Sequence, residues 1–146
     1  MKLSEAIREG AKKFGNTFTF FSEDGTCGCA VGSAILLTCG TKYVEKYWDQ
    51  VSRNGWQWSW FYEAFPIGKT VMTKSDMPKG MRYPPSEMTL GGFISHLHSN
   101  YGWTREAIAE WVEVMENKIE ARNAKTEETK EIVCTPVVNG DSILKG

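Results

Sequence analysis

The stretch "HLHSNYGWTREAIAEWV", from His96 to Val112, sets two imidazoles one residue apart. On a strand, side chains two apart share a face, and His-x-His is then good metal-ligand geometry. On a helix each residue turns by about 100°, so the two rings diverge by about 200°. Leu90, Phe93, Ile94, Leu97 and Tyr101 recur at helical spacing, with Thr89 placed to cap and Gly102 to stop the helix. His98 then borders the apolar stripe, His96 points away from it, and no metal site is expected.

Cysteine chemistry is the second candidate. In "GTCGCAVG" Cys29 falls near a predicted helix N-terminus, where the helix dipole favours a thiolate. With His98 as base and Asn100 as orienting amide it would form a Cys–His–Asn set, the machinery of a thiol hydrolase. The competing reading is a small buried residue in a tightly packed helix. Zinc on Cys27, Cys29 and Cys39 is disfavoured, because Cys-x-Cys diverges on a helix and the chain has no C-x-x-C pair. "FPIGKT" resembles the end of a phosphate-binding loop, but Glu63 stands where that loop needs glycine.

A third constellation suits an anion. "WQWSWFYEAF" alternates in twos, which predicts a strand with Trp56, Trp58, Trp60 and Tyr62 on one face. The segment from Pro66 to Pro85 carries Lys69, Lys74, Lys79 and Arg82 against Asp76 alone. Aromatic faces stack bases and cations hold phosphate, so Trp56, Trp58, Trp60, Lys69, Lys74 and Arg82 are candidate ligand-binding residues. The plainer alternative is a sheet packed on the core beside solvated lysines.

Around these groups the chain predicts further elements. Leu3, Ala6, Ile7, Ala11 and Phe14 mark an opening helix with Ser4 as cap. "TFTFF", 17–21, reads as a strand closed by the turn "SEDGT". From Cys27 to Cys39 the residues are small or apolar all round, which predicts a central helix approached closely by a neighbour and stopped at Gly40. Thr41 caps a helix with the stripe Tyr43, Val44, Tyr47, Trp48 and Val51, ending at Gly55. Residues 66–89 read mostly as loop. Thr104 caps a last helix from about Arg105 to Arg122, with Trp103 and Ile108 placed as a hydrophobic staple. "NAKTEETKE" reads as a linker and "IVCTPVV" as an edge strand or loose tail. The expected fold is α+β: packed helices carrying a small antiparallel sheet in one domain over 1–125, followed by that tail over 126–146.

The whole-chain numbers narrow the partners. At 146 residues and a net charge of −1, one domain is expected, with no global field to recruit nucleic acid or anionic membrane. Glu106, Glu110, Glu113, Glu116 and Glu120 would turn phosphate away from the last helix, against DNA reading by a helix-turn-helix. No apolar run of spanning length and no signal-peptide pattern is present, so a cytoplasmic setting is expected, with Cys27, Cys29, Cys39 and Cys134 as thiols. No cofactor is expected.

Three motifs carry a likeness. "LSEAIREGA" at 3–11, "CAVGSA" at 29–34 and "HLHSNYGWTREAIAEWVEVME" at 96–116 resemble segments shared by small uncharacterised proteins of phages and bacterial genomes. Those proteins often read Asn-Asp after the His-Leu pair, where this chain has His98-Ser99. The resemblance covers the first third and the 96–116 segment; it implies a phage or prophage setting and no reaction. The expected function is a non-enzymatic binding protein of phage or mobile-element origin that sequesters a small anionic ligand or blocks a host protein such as a defence component. The alternatives are the thiol hydrolase on Cys29 and a phage structural or assembly component.

Overall fold

The centre of the molecule is the helix with no polar face. In the computed structural model, α2 spans Ala30–Cys39, and Ala30 to Leu36 are all buried. The structure describes the backbone of residues 1–49 and 56–144, and the side chains of 1–49 and 58–126. The other helices are α1 (Leu3–Lys13), α3 (Val44–Asp49), α4 (Trp56–Ala64), α5 (Leu90–Tyr101) and α6 (Arg105–Leu144). Helix α2 packs against α1, α4 and α5. Two compact units divide the chain, Met1–Glu113 and Val114–Gly146; the second contains the continuation of α6.

The expected α+β fold is not what forms: among the described residues there is no β-strand. Over 17–21 the chain makes bends, with isolated bridges pairing Gly15 with Cys27 and Phe21 with Gly28. A one-faced strand alternates, whereas here the adjacent Phe20 and Phe21 are both buried while Phe18 is 77% exposed. Thr19 Oγ1 also donates to Phe21 O at 2.8 Å, a local bond that competes with strand pairing. The turn that follows is built by Asp24, whose Oδ1 accepts from Thr26 N–H, Thr26 Oγ1 and Ser22 Oγ. Those bonds, led by the Thr26 hydroxyl, hold the Asp24 carboxyl below its ordinary value.

The aromatic run is a helix too. Because seven of the ten residues of "WQWSWFYEAF" are aromatic or apolar, periods of 2 and 3.6 both fit it. The helical solution places Phe61 and Phe65 together in the core, 0% and 4% exposed. Trp60 leaves on another side, buried and stacked on Tyr43 at 4.6 Å. The four-membered face of Trp56, Trp58, Trp60 and Tyr62 therefore does not exist; the Trp56 side chain lies outside the described residues.

Helix ends follow the sequence more closely. Gly40 (φ 68°) ends α2, Thr89 Oγ1 accepts from Gly92 N–H to start α5, and Gly102 (φ 66°) ends it. Thr104 Oγ1 accepts from Ala107 N–H at 3.1 Å at the start of α6. Ser4 is not a cap: α1 begins one residue earlier, at Leu3, and Ser4 is buried within it. The helix expected to follow Thr41 begins at Val44, and Val51 and Gly55 lie outside the described residues. Helix α6 runs on through the stretch expected to be linker and edge strand, as far as Leu144. No helix among the described residues is long and apolar enough to cross a membrane.

Segment 66–89 contains the short 3-10 turns Pro66–Lys69 and Lys74–Asp76, and it is pinned to the core. Met72 is 1% exposed, its N–H donates to Met88 O at 2.9 Å, and its carbonyl accepts from Tyr83 Oη at 2.8 Å. Leu90 N–H donates to Thr70 O at 2.8 Å, closing the loop at its base.

Close backbone contact holds the first unit together. A Cβ on Gly10 would lie 2.7 Å from Ser33 O, and one on Gly32 only 1.6 Å from Phe20 O. Gly32→Ala should therefore lower stability by more than about 3 kcal/mol, since the obstacle is main chain and cannot swing aside. Urea unfolding of the two proteins, followed by tryptophan fluorescence, reads this directly.

Candidate functional site

Arg105 is the first residue of α6 and is only 9% exposed. A cation at a helix N-terminus opposes the dipole, so it needs compensation from elsewhere. That comes from carbonyls: Nη1 donates to Phe14 O at 2.7 Å, Gly15 O at 3.2 Å and Gly28 O at 3.4 Å, and Nη2 to Ala11 O at 3.4 Å. Nη1 also donates to Ser33 Oγ at 3.0 Å, and that hydroxyl donates on to Gly28 O at 2.9 Å. Among the described residues, no carboxylate pairs with Arg105. Ala11 and Phe14 belong to the C-terminal end of α1, where the dipole presents negative charge. One guanidinium thus joins the end of α1, the 14–29 segment, the start of α2 and the start of α6.

Cys29 lies beside this hub as the cap of α2, its Sγ accepting from Gly32 N–H at 3.4 Å. The residue is 5% exposed, and burial pushes the thiol above its usual value despite the Gly32 and Val31 N–H groups and the field of Arg105. Desolvation wins over the dipole that the sequence reading relied on. Cys27 and Cys39 are half-buried thiols, and Cys134 has no described side chain.

His98 is 3% exposed on α5. Its Nε2 meets Asn16 Oδ1 at 3.0 Å, and the ring of Phe18 lies over it at 5.6 Å. Burial first, and the Arg105 charge second, hold its pKa below the usual 6.5. Asn100 is exposed, two residues further along the helix, so the amide that orients His98 is Asn16. His96 packs elsewhere, edge-on to Tyr101 at 5.2 Å and near Phe93. No group of three or more metal-ligating side chains occurs among the described residues.

The anion-binding candidates are split by the helix. Trp58 and Tyr62, four apart, stay together with rings 6.0 Å apart at 28°, whereas Trp60 is taken into the core. Lys69 Nζ lies 5.9 Å above the Tyr62 ring. Tyr62 Oη shares a 3.0 Å hydrogen bond with Thr89 Oγ1, which ties this group to the start of α5. Lys74, Lys79 and Arg82 are exposed on the pinned segment. Asp76, the acid that would have offset them, is 3% exposed and its Oδ2 accepts from Thr73 N–H and Oγ1. A separate cleft of about 530 Å³ is lined by Glu23, Thr41, Val44, Glu45, Trp48 and Asp49; its three carboxylates oppose an anion.

Arg105, Ser33, Asn16 and Phe18 escape a reading by motif. One signal does point to Arg105: a basic residue directly after an N-cap is electrostatically misplaced unless it is used elsewhere. Compared with known proteins, the chain matches no family model, no curated protein and no solved structure. The likeness to phage and bacterial proteins therefore stands on its quoted motifs alone.

Two outcomes follow from this geometry. Arg105→Met should cost about 3 kcal/mol or more, because buried carbonyls lose their donor, while Arg8→Ala should cost under about 1 kcal/mol. The Arg8–Glu113 pair spans 2.9 Å between half-exposed side chains, so water screens it; parallel denaturant titrations compare the two variants. Iodoacetamide at mildly alkaline pH, followed by peptide mass spectrometry, should label Cys27 and Cys39 well before Cys29.

Proposed function

We propose that the protein is a non-enzymatic binding protein for a small anionic, nucleotide-like ligand. The observation that carries this reading is the Trp58–Tyr62 pair with Lys69 above Tyr62, next to a pinned segment on which the cations Lys74, Lys79 and Arg82 are exposed against the one exposed acid Glu87. Stacking on an aromatic face contributes about 1–3 kcal/mol per base, and a charge-assisted contact to phosphate contributes a similar amount. Trp58 and Tyr62 would take the base, with Lys69, Lys74 and Arg82 the phosphates. The phage or mobile-element setting comes from the resemblance of the motifs, and sequestration of such a ligand from a host is the role it suggests.

A panel of nucleoside mono-, di- and triphosphates, titrated at low salt and read by tryptophan fluorescence and calorimetry, tests this. At least one member should bind more tightly than about 1 mM, and Lys69→Ala with Lys74→Ala should weaken it at least about tenfold. Binding should also fall as salt rises. Quenching that survives the double substitution would remove the phosphate reading, and no binding across the panel would remove the proposal.

A further inference from the structure

The seat of His98 has a chemical asymmetry. Its Nε2 faces Asn16 Oδ1 and so carries the proton, which leaves Nδ1 as a bare acceptor. That Nδ1 is buried and has no hydrogen-bond partner. A second proton would therefore sit at an atom with nothing to receive it, in a ring that is 3% exposed.

Among the described residues, the charged group that acts on His98 is a cation. From α6 comes the cation Arg105, which acts on His98 directly. The 14–29 segment contributes Asn16 and Phe18, both uncharged. The cap of α2, which packs on α5, is the thiol of Cys29, kept neutral by burial. The Pro66–Lys69 turn, which also packs on α5, carries another cation, Lys69, directed at Tyr62. On α5 itself, His96 packs against Phe93 and Tyr101. The carbonyl end of α5 favours a charged imidazole, but burial and Arg105 outweigh it.

We propose that the Asn16–Phe18 corner is an acid-released cover: a proton taken from solvent at His98 Nδ1 ejects the ring from its seat and lifts this corner off α5. The piece that moves is short: Gly15 on one side is bonded to Thr26, Gly28 and Arg105, and Thr19 on the other accepts from Cys29 N–H, which leaves Asn16–Phe18 between two fixed points. Asn16 and Phe18 are exposed, Phe18 by 77%, and their partner across the gap is the imidazole. Beyond it, Phe20 and Phe21 are locked against Tyr47, at 5.9 and 5.5 Å, and stay in place.

The direction with pH is fixed by the lowered folded value. Above the usual 6.5, closed and open forms are both neutral at His98 and the corner is shut. As pH falls through 6.5 toward the lower folded value, the open form takes up a proton first and the closed form loses ground.

Solution NMR of the full chain, isotopically labelled and titrated from about pH 8 to about pH 5, follows both partners at once. The His98 imidazole should titrate below 6.5, and the Asn16 side-chain amide and Phe18 ring signals should shift with the same midpoint. Amides of α2 should keep their positions over that range. His98→Gln, which retains a neutral donor for Asn16, should abolish the Asn16 and Phe18 shifts. Should that variant not fold, the shared midpoint in the unaltered protein is itself the test. Asn16 and Phe18 signals that stay fixed while His98 titrates would overturn the cover. So would a transition in which the α2 amides are lost together with the corner.

Discussion

A buried guanidinium with no carboxylate partner among the described residues is the constraint on which the first unit depends. Moving an isolated cation out of water costs several kcal/mol even after relaxation, and here peptide carbonyls and a serine hydroxyl meet that cost. Carbonyls can do so because they come from places where helical bonding leaves them unused: the last turn of α1 and the glycine-rich approach to α2. Arginine suits this role through its planar fork, which reaches acceptors from different directions at once; a lysine ammonium would be a compact point charge on a flexible stem. Three separate stretches of chain are placed by one side chain.

The same charge sets the chemistry of its neighbours. A fixed cation draws a thiol toward thiolate and an imidazole toward the neutral form. For His98 burial acts in the same direction as Arg105, and the ring is held neutral. For Cys29 burial opposes Arg105 and prevails, so the thiol is held protonated. Two residues with the makings of a nucleophile and a base are thereby kept in states suited to packing. A cysteine at a helix N-terminus is a reactive group only where solvent, or a nearby charge at the surface, can support the anion.

What the sequence makes legible divides along the range of the interactions involved. Thr89, Gly102, Thr104 and Gly40 were placed correctly because capping and left-handed turns are decided within a few residues. Helix α2 was legible because a run with no polar side admits one location. The strands at 17–21 and 56–62 were misread where local pattern is degenerate. Phe20 and Phe21 bury on both sides of the backbone by meeting Tyr47 from different directions, and the tryptophan run satisfies either period until Phe61 and Phe65 find the core. The divergence of His96 and His98 followed once the helix was right. Asn16 meets His98 across 82 residues of sequence and Arg105 meets Ala11 across 94, and no motif encodes such distances.

That division bears on where function resides. Arg105, Ser33 and Cys29 spend their polar atoms on nearby main-chain groups and, between Arg105 and Ser33, on each other, and His98 offers outward only the edge covered by Asn16 and Phe18. The ligand proposed above would be met by groups that the fold holds in place at its surface. Trp58, Tyr62 and Lys69 meet that condition. The pair is held at helical spacing, Tyr62 is tied by its hydroxyl to the cap of α5, and Lys69 sits in a turn that packs on both α4 and α5. Buried Asp76 caps its own turn by accepting from Thr73 N–H and Oγ1, which helps to fix the segment that carries Lys74 and Lys79. The internal cation organises the fold out of solvent's reach, while the outer cations Lys74, Lys79 and Arg82 are held exposed over a loop that is pinned beneath them.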